Sequence, residues 1–407
     1  MNILMVNKYL YPRGGAETYM LSIAELLVEK GHKVAFFGME HPENTTADQV
    51  STIPFLEFGE KSSFAGKLGN VFKAGLYTLK GAAKKELDRL IADFKPDIIH
   101  AHNVYNQISP AIFKDCPVPV VLTAHDYKAV CPNYSLFVNG EACEKCLGGS
   151  FTNCIKQRCC QGSLLSSSLA SFSSMRHRSE KTYERDYAHI ISPSSFLKGK
   201  LEKGGLPADS ISVIHNFTRL PRDLRIPGRS ILYIGRLSKE KGIDTLINAY
   251  AKLAEELRPE LRIAGEGPMK DKLLKQCEEL EISVTWLGRI TPEEVRKELN
   301  SCGLTVVPSL WYENCSMAIM ESLGYGRATI VSDSGGNPEL VSAGIEGEVF
   351  EAGNAASLAG CLNKVLSHDG KLEEMSLNAR KRAEKQFSEV IHMENLEKVY
   401  RGLLKGE

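Results

Sequence analysis

The feature that most constrains this chain is a set of twelve short, nearly continuous apolar runs. In the first half they are Asn2–Lys8, Lys33–Gly38, Asp97–Asn103, Val118–His125, His189–Ser194 and Ile211–Asn216. In the second half they are Ser230–Leu237, Leu261–Glu266, Val284–Gly288, Leu304–Ser309, Ala328–Asp333 and Gly347–Glu351. Runs that are apolar throughout, rather than alternating, suit parallel strands buried on both faces. Stretches with helical periodicity separate them, Gly242–Leu257 and Pro292–Leu299 among them. The alternation predicts α/β architecture, with two doubly wound Rossmann-like domains facing across a cleft. A length of 407 residues, 43% of them hydrophobic, is enough for each domain to bury its own core.

The expected divisions are a first domain over 1–217, a linker over 218–229, a second domain over 230–384 and a C-terminal helical segment over 385–407. That last segment is free in sequence terms to pack back on the first domain. The linker, Thr218–Arg229, carries two prolines and four arginines, as an exposed connection would. The formal charge is zero, which gives no reason to expect a nucleic-acid partner. No apolar stretch approaches the ~18 residues of a membrane span, and the apolar run after Met1 is too short for a signal core. The expected location is the cytoplasm.

In doubly wound sheets, ligands sit at the carboxyl ends of the strands, and the chemistry-bearing motifs fall there. The first run leads into Gly14-Gly15 and then a helical stretch, where bare backbone and free N–H groups can approach a phosphate. The first run of the second half leads into Gly235-Arg236 and Lys241, a fork and a point charge suited to a diphosphate. Leu304–Ser309 leads into Glu313-Asn314-Cys315-Ser316-Met317 and on to Glu321. If one helix carries both carboxylates, they lie ~12 Å apart along its axis, enough to reach a sugar at one end and a ribose at the other. A plainer reading makes Glu313 a helix-dipole partner and Glu321 a solvated position. Ser334-Gly-Gly-Asn-Pro-Glu339 adds a glycine turn at the same edge.

Taken together, these motifs resemble family 4 retaining glycosyltransferases of the GT-B fold. The matching residues are Gly14-Gly15, Thr123-Ala-His125-Asp126, Gly235-Arg236, Lys241, Glu313-x7-Glu321 and Ser334–Glu339, in the expected order over nearly the whole chain. Two positions depart from the family pattern. Phe217 follows Asn216 where glycine is usual, and Arg327 follows Gly326 where proline is usual. The resemblance implies a nucleotide-diphosphate sugar donor held mainly in the second domain and a glycan or lipid-linked glycan acceptor held mainly in the first. Arg236 and Lys241 would bind the diphosphate, Glu313 the donor sugar and Glu321 the ribose. Gly15 would close on the phosphates, with the backbone of Asn314, Cys315, Ser316 and Met317 beside them, and His125 would lie by the reacting carbon. The expected activity is retaining transfer of a hexose-type sugar in polysaccharide biosynthesis. No Asp-x-Asp motif occurs, so no catalytic metal is expected. A nucleotide-sugar epimerase and a silent nucleotide-sugar-binding protein are the alternatives.

Two features lie outside these motifs. Six of the eleven cysteines, Cys131, Cys143, Cys146, Cys154, Cys159 and Cys160, crowd into residues 131–160. The Cys143-x2-Cys146 knuckle suggests structural zinc held by Cys131, Cys143, Cys146 and Cys154, with Cys159 or Cys160 as the alternative fourth ligand. Disulfides and free thiols are the other readings. Similar insertions occur in bacterial polysaccharide-assembling relatives. Residues Lys61–Leu90 carry seven Lys/Arg against two acids, with Phe64, Leu68, Phe72, Leu76 and Leu79 at helical spacing, and a second basic stretch runs from Lys156 to Arg185. Such segments either pack on their own domain or lie on an anionic membrane surface at its inner face. The pair His100-x-His102 shares one face of a strand end and is expected to line the cleft, since too few ligands accompany it for a metal.

Overall fold

The computed structural model describes residues 1–46, 50–54, 81–105, 108–368 and 370–406. All twelve apolar runs contain a strand. The first sheet comprises β1 (Asn2–Val6), β2 (Lys33–Met39), β3 (Val50–Ile53), β4 (Ile98–Ala101), β5 (Val120–Thr123), β8 (His189–Ser192) and β9 (Ile211–Val213). Between β5 and β8 lies a two-stranded hairpin, β6 (Phe137–Val138) and β7 (Glu141–Ala142). The second sheet comprises β10 (Ile231–Ile234), β11 (Leu261–Ala264), β12 (Thr285–Gly288), β13 (Leu304–Val307), β14 (Ala328–Ser332) and β15 (Gly347–Phe350).

The first sheet runs β3-β2-β1-β4-β5-β8-β9 and the second β12-β11-β10-β13-β14-β15, all parallel. In each sheet the winding reverses beside the first strand, between β1 and β4 and between β10 and β13. Connections leaving such a reversal point diverge and open a crevice at the strand ends. The loops at these two crevices carry Gly14-Gly15, His102, Arg236, Lys241 and Glu313. Topology thus positions the site before any side chain is considered.

Helices cover both faces of each sheet. Leu4, Val6 and Leu122 pack in one core of the first domain, and Ile3, Met5 and Val121 in the opposite one. The helix Glu389–Lys405 returns to that second core and buries Met393, Leu396 and Tyr400 against β1 and the helix Gly15–Glu29. His100 makes this return specific. It is fully buried and hydrogen-bonds Tyr400 Oη at 2.6 Å and Thr123 Oγ1 at 2.7 Å. His100 therefore does not line the cleft. It ties the last helix to the first sheet.

Both departures from the family pattern lie in packed surroundings. Phe217 packs on Tyr19 and His392. Arg327 is fully buried and donates to the carbonyls of Leu299, Asn300 and Arg225, so it pins the linker to the second domain. Of the Lys61–Leu90 stretch, Lys61 through Lys80 lies outside the described residues. The helix Ala82–Phe94 follows and buries Leu87 in the first domain's core. No described helix is long and apolar enough to cross a membrane.

Candidate active site

In the second domain, β10 ends at Ile234, and Arg236 follows as an exposed side chain at the crevice. A short turn, Lys239–Lys241, precedes Gly242 and the helix Ile243–Ala251. Gly242 adopts φ +65°, and a Cβ there would meet the carbonyl oxygen of Pro308 at 2.0 Å. This close approach seats Lys241 beside the end of β13. The Lys241 ammonium reaches Glu313 Oε1 at 2.6 Å, and Ser309 Oγ donates to the same oxygen at 2.7 Å. Burial works against ionisation of Glu313, but Lys241 and the hydrogen bonds outweigh it and hold the carboxyl below its usual range.

Glu313 and Glu321 do not share a helix. The helix is Met317–Gly324 with Ser316 at its N-cap, and Glu313 lies before it in a bridge to Gly335. The axial spacing expected of an unbroken helix therefore does not apply. A Cβ at Gly335 would fall 2.3 Å from Glu313 O and so break this bridge. Ser316 makes no side-chain cap, which leaves the first N–H groups of Met317–Gly324 open for an anion. Cys315 is buried against Met320, so only its backbone can face a ligand. Burial raises the Glu321 carboxyl to about 7.

In the first domain, Gly14 precedes the helix Gly15–Glu29 without a side-chain cap, and the space where a Gly15 side chain would project is open. His125 follows β5. Its Nε2 lies 3.0 Å from His102 Nδ1, and its ring packs edge-on against Tyr19. Burial pulls His125 down to about 3, so it is a neutral imidazole at physiological pH.

Sequence reasoning missed a polar network at the same edge. Asn7 Oδ1 accepts from Asn103 N at 2.8 Å. Glu17 Oε1 accepts from Asn7 and Asn103, both at 3.4 Å. Tyr105 Oη donates to Asn103 Oδ1 at 2.7 Å and also to Asp126. Burial raises the Asp126 carboxyl and lowers the ammonium groups of Lys8 and Lys128. The signal available was a polar residue just past an apolar strand: Asn7 directly after β1 and Asn103 two residues after β4.

The two crevices meet. Asn314 Nδ2 donates to His125 O at 2.6 Å, and Tyr127 Oη donates to Tyr312 O at 3.1 Å. The Glu339 carboxylate, at the end of the Ser334–Glu339 turn, accepts from Ser195 N at 2.7 Å and Phe196 N at 2.6 Å.

The cysteine insertion forms a wall beside this junction. Glu144 binds Lys200 and Lys203 and accepts from Tyr312 Oη at 3.2 Å. Cys131, Cys143, Cys146, Cys154 and Cys159 border one cavity of about 10 Å³, room for a single water-sized occupant. Cys160 turns instead to Cys154, whose thiol it holds near 6 by a hydrogen bond. No two of the eleven cysteines are joined in a disulfide. Among the described residues no three His, Cys, Asp or Glu side chains are gathered as a metal-holding set.

Two doubly wound domains closed on a cleft lined with cations, carboxylates and open helix N-termini have the architecture of the GT-B fold. Residues 218–382 match the model for glycosyl transferases group 1, and residues 13–222 match that for glycosyltransferase family 4. The chain belongs to glycosyltransferase family 4. An uncharacterised glycosyltransferase of Methanocaldococcus jannaschii is 26% identical over 95% of each chain. A protein of the cps region of Klebsiella pneumoniae is 27% identical over 84% of this chain and 87% of its own length. Among solved structures, the sucrose-phosphate synthase of Thermosynechococcus elongatus covers both chains fully at a TM-score of 0.72 and 19% identity. Anabaena HepE in complex with UDP-glucose covers 98% of this chain and 99% of its own at 0.68, also with 19% identity. Both show the same fold.

Proposed function

We propose that this glycosyltransferase moves a hexose-type sugar, with retention, from a nucleotide-diphosphate sugar to a glycan or lipid-linked glycan acceptor at an anionic membrane surface. The observation that carries the reading is the 2.6 Å bond from Asn314 to His125 O, which brings the acceptor-side histidine to the donor loop. Breaking the sugar–phosphate bond leaves a diphosphate anion and an oxocarbenium-like sugar. Preorganised positive charge on the leaving group is then the largest catalytic contribution. Arg236, Lys241 and the open N-termini of Gly15–Glu29 and Met317–Gly324 supply it without a catalytic metal. Glu313 holds Lys241 in place and faces the donor sugar, and the carboxylate of Glu321 takes the ribose. Neutral His125 lies by the reacting carbon, where an imidazolium would oppose developing positive charge. Attack comes from the face the diphosphate leaves, with no covalent enzyme intermediate. That HepE was solved with UDP-glucose and a Klebsiella relative lies in a cps region agrees with this class of donor and with polysaccharide assembly.

The test is thermal-shift binding against a panel of nucleotide diphosphates and nucleotide sugars without added divalent metal. A ligand at 100 times its Kd adds about 2.7 kcal/mol of stability. One nucleotide should give that shift, and Arg236→Ala should abolish it. No shift with any nucleotide would count against the reading, as would an inverted anomeric product by NMR.

For the insertion we propose structural zinc held by Cys131, Cys143, Cys146 and Cys154, four of the five thiols that border one cavity, which the metal would draw together on binding. Elemental analysis should find one zinc per chain, lost in Cys143→Ser/Cys146→Ser. A metal-free protein of equal stability would rule it out.

A further inference from the structure

The helix Leu164–Ser179, just after the cysteine cluster, carries its polarity inside out. Ser167, Ala170, Ser171 and Ser174 face inward, and the Ser167 hydroxyl accepts from Cys160 N at 3.0 Å. These small residues let the helix settle closely on Thr152–Lys156 and the cysteine turn. The large apolar side chains face out: Leu164 is 54% exposed, Leu165 52%, Leu169 44%, Phe172 69% and Met175 36%. At 3.6 residues per turn these five cover an arc of about 140° on one side of the helix. Single exposed leucines need no explanation, but a stripe of five on three turns does.

Charge identifies what would cover it. Residues 151–185 hold six Lys/Arg and two Glu in a chain whose formal charge is zero. Lys156 and Arg158 are exposed at one end of the stripe, and Arg176 and Lys181 at the other. Arg176 is paired with Glu180, but among the described residues no acid lies within ion-pair distance of Lys156, Arg158 or Lys181. A second copy of the helix laid against this face, in either direction, would set cations against cations. An anionic lipid surface would receive the apolar stripe between headgroups and neutralise both ends.

We propose that the helix Leu164–Ser179 is a membrane-contact element that lies flat in the interface of an anionic bilayer and sets the neighbouring cleft at the lipid surface. This deepens the lipid-linked acceptor reading and rests on it for the identity of the surface.

The experiment is flotation of the full chain with phosphatidylethanolamine/phosphatidylglycerol vesicles and with phosphatidylcholine vesicles, at ~150 mM salt. The wild type should float with the anionic vesicles and not the neutral ones. Leu165→Ser/Leu169→Ser/Phe172→Ser, all at exposed positions, should lower the bound fraction at least tenfold, and Arg158→Glu/Lys181→Glu should weaken it in a salt-dependent way. Both variants should keep the wild-type thermal shift with the nucleotide panel. A triple variant that floats like wild type overturns the proposal and moves the lipid contact elsewhere in the chain. So does a wild type that binds no vesicle, whether monomeric or self-associated by light scattering. If vesicles bind but no nucleotide does, the surface inference stands and the transferase reading fails. Nucleotide binding without vesicle binding gives the converse.

Discussion

Burial raises the Glu321 carboxyl from 4.5 to about 7, so near neutral pH it is close to half protonated in the free protein. A folded pKa above the unfolded one favours the folded state most at pH below about 4.5, and that contribution fades as pH rises through 7. Glu321→Gln removes this slope and should gain stability relative to wild type above pH 7, by at most about 3 kcal/mol. A ribose diol donates its hydrogen bonds to the ionised form. Nucleotide affinity should therefore rise about tenfold between pH 6 and pH 8 in wild type, and stay weak and flat in Glu321→Gln. Calorimetric titration at three pH values checks both. A pH-independent wild-type affinity would remove Glu321 from the ribose site. Arg327 supports a second prediction at this scale. Its guanidinium serves three carbonyls from a fully buried position. Arg327→Ala leaves them unpaired around a cavity and should cost about 3 kcal/mol of second-domain stability in urea unfolding.

At the scale of elements, legibility followed burial and continuity. The twelve strands that could be read lie in near-continuous apolar runs of sequence. β3 could not, since Val50–Ile53 is a four-residue edge strand, mostly half-buried or exposed. The hairpin Phe137–Ala142 has two residues per strand and no period to detect. The donor loops were legible because their charges lie within short contiguous motifs. The network of Asn7, Glu17, Asn103, Tyr105 and Asp126 was not, because its members come from the segments after β1, β4 and β5 and from the first turn of the helix Gly15–Glu29, which only the sheet order brings together. The same holds for Glu144, which joins the cysteine insertion to Lys200, Lys203 and Tyr312. Burial alone would raise its carboxyl, but the two lysines hold it at about 2. The stability this gives is present above pH 4.5 and lost as pH falls toward 2. Glu144→Gln should free the insertion at neutral pH and speed tryptic cleavage after Lys145 several-fold, with cleavage elsewhere unchanged. Equal cleavage in both proteins would show that the cysteine region holds itself in place.

At the scale of the whole molecule, one carboxylate spans the closed cleft and caps a helix on its far side. Glu339 belongs to the second domain and completes a helix of the first. Its oxygens take the N–H groups of Ser195 and Phe196, while Ser194 Oγ takes that of Leu197 at 3.1 Å, so the first turn of Ser195–Lys203 is satisfied from both domains. A carboxylate at a helix N-terminus gains from charge-assisted hydrogen bonds and from the helix dipole. Removing it should disfavour closure by about 3 kcal/mol, roughly a hundredfold in the closed-to-open ratio. The covalent return through Glu389–Lys405 limits how far the domains can part, because His100–Tyr400 and His392–Tyr19 keep that helix on the first domain. Glu339→Ala should therefore open by hinging and not by separation. Small-angle scattering of the free protein should show a larger radius of gyration for Glu339→Ala than for wild type. Saturating nucleotide sugar should restore the compact value if, as proposed, the donor contacts both crevices. The KM for donor should rise, while kcat at saturation stays within a few-fold. An unchanged radius in the free variant would mean that the Asn314–His125 and Tyr127–Tyr312 contacts suffice for closure, and Glu339 would then be only a cap for the helix it touches.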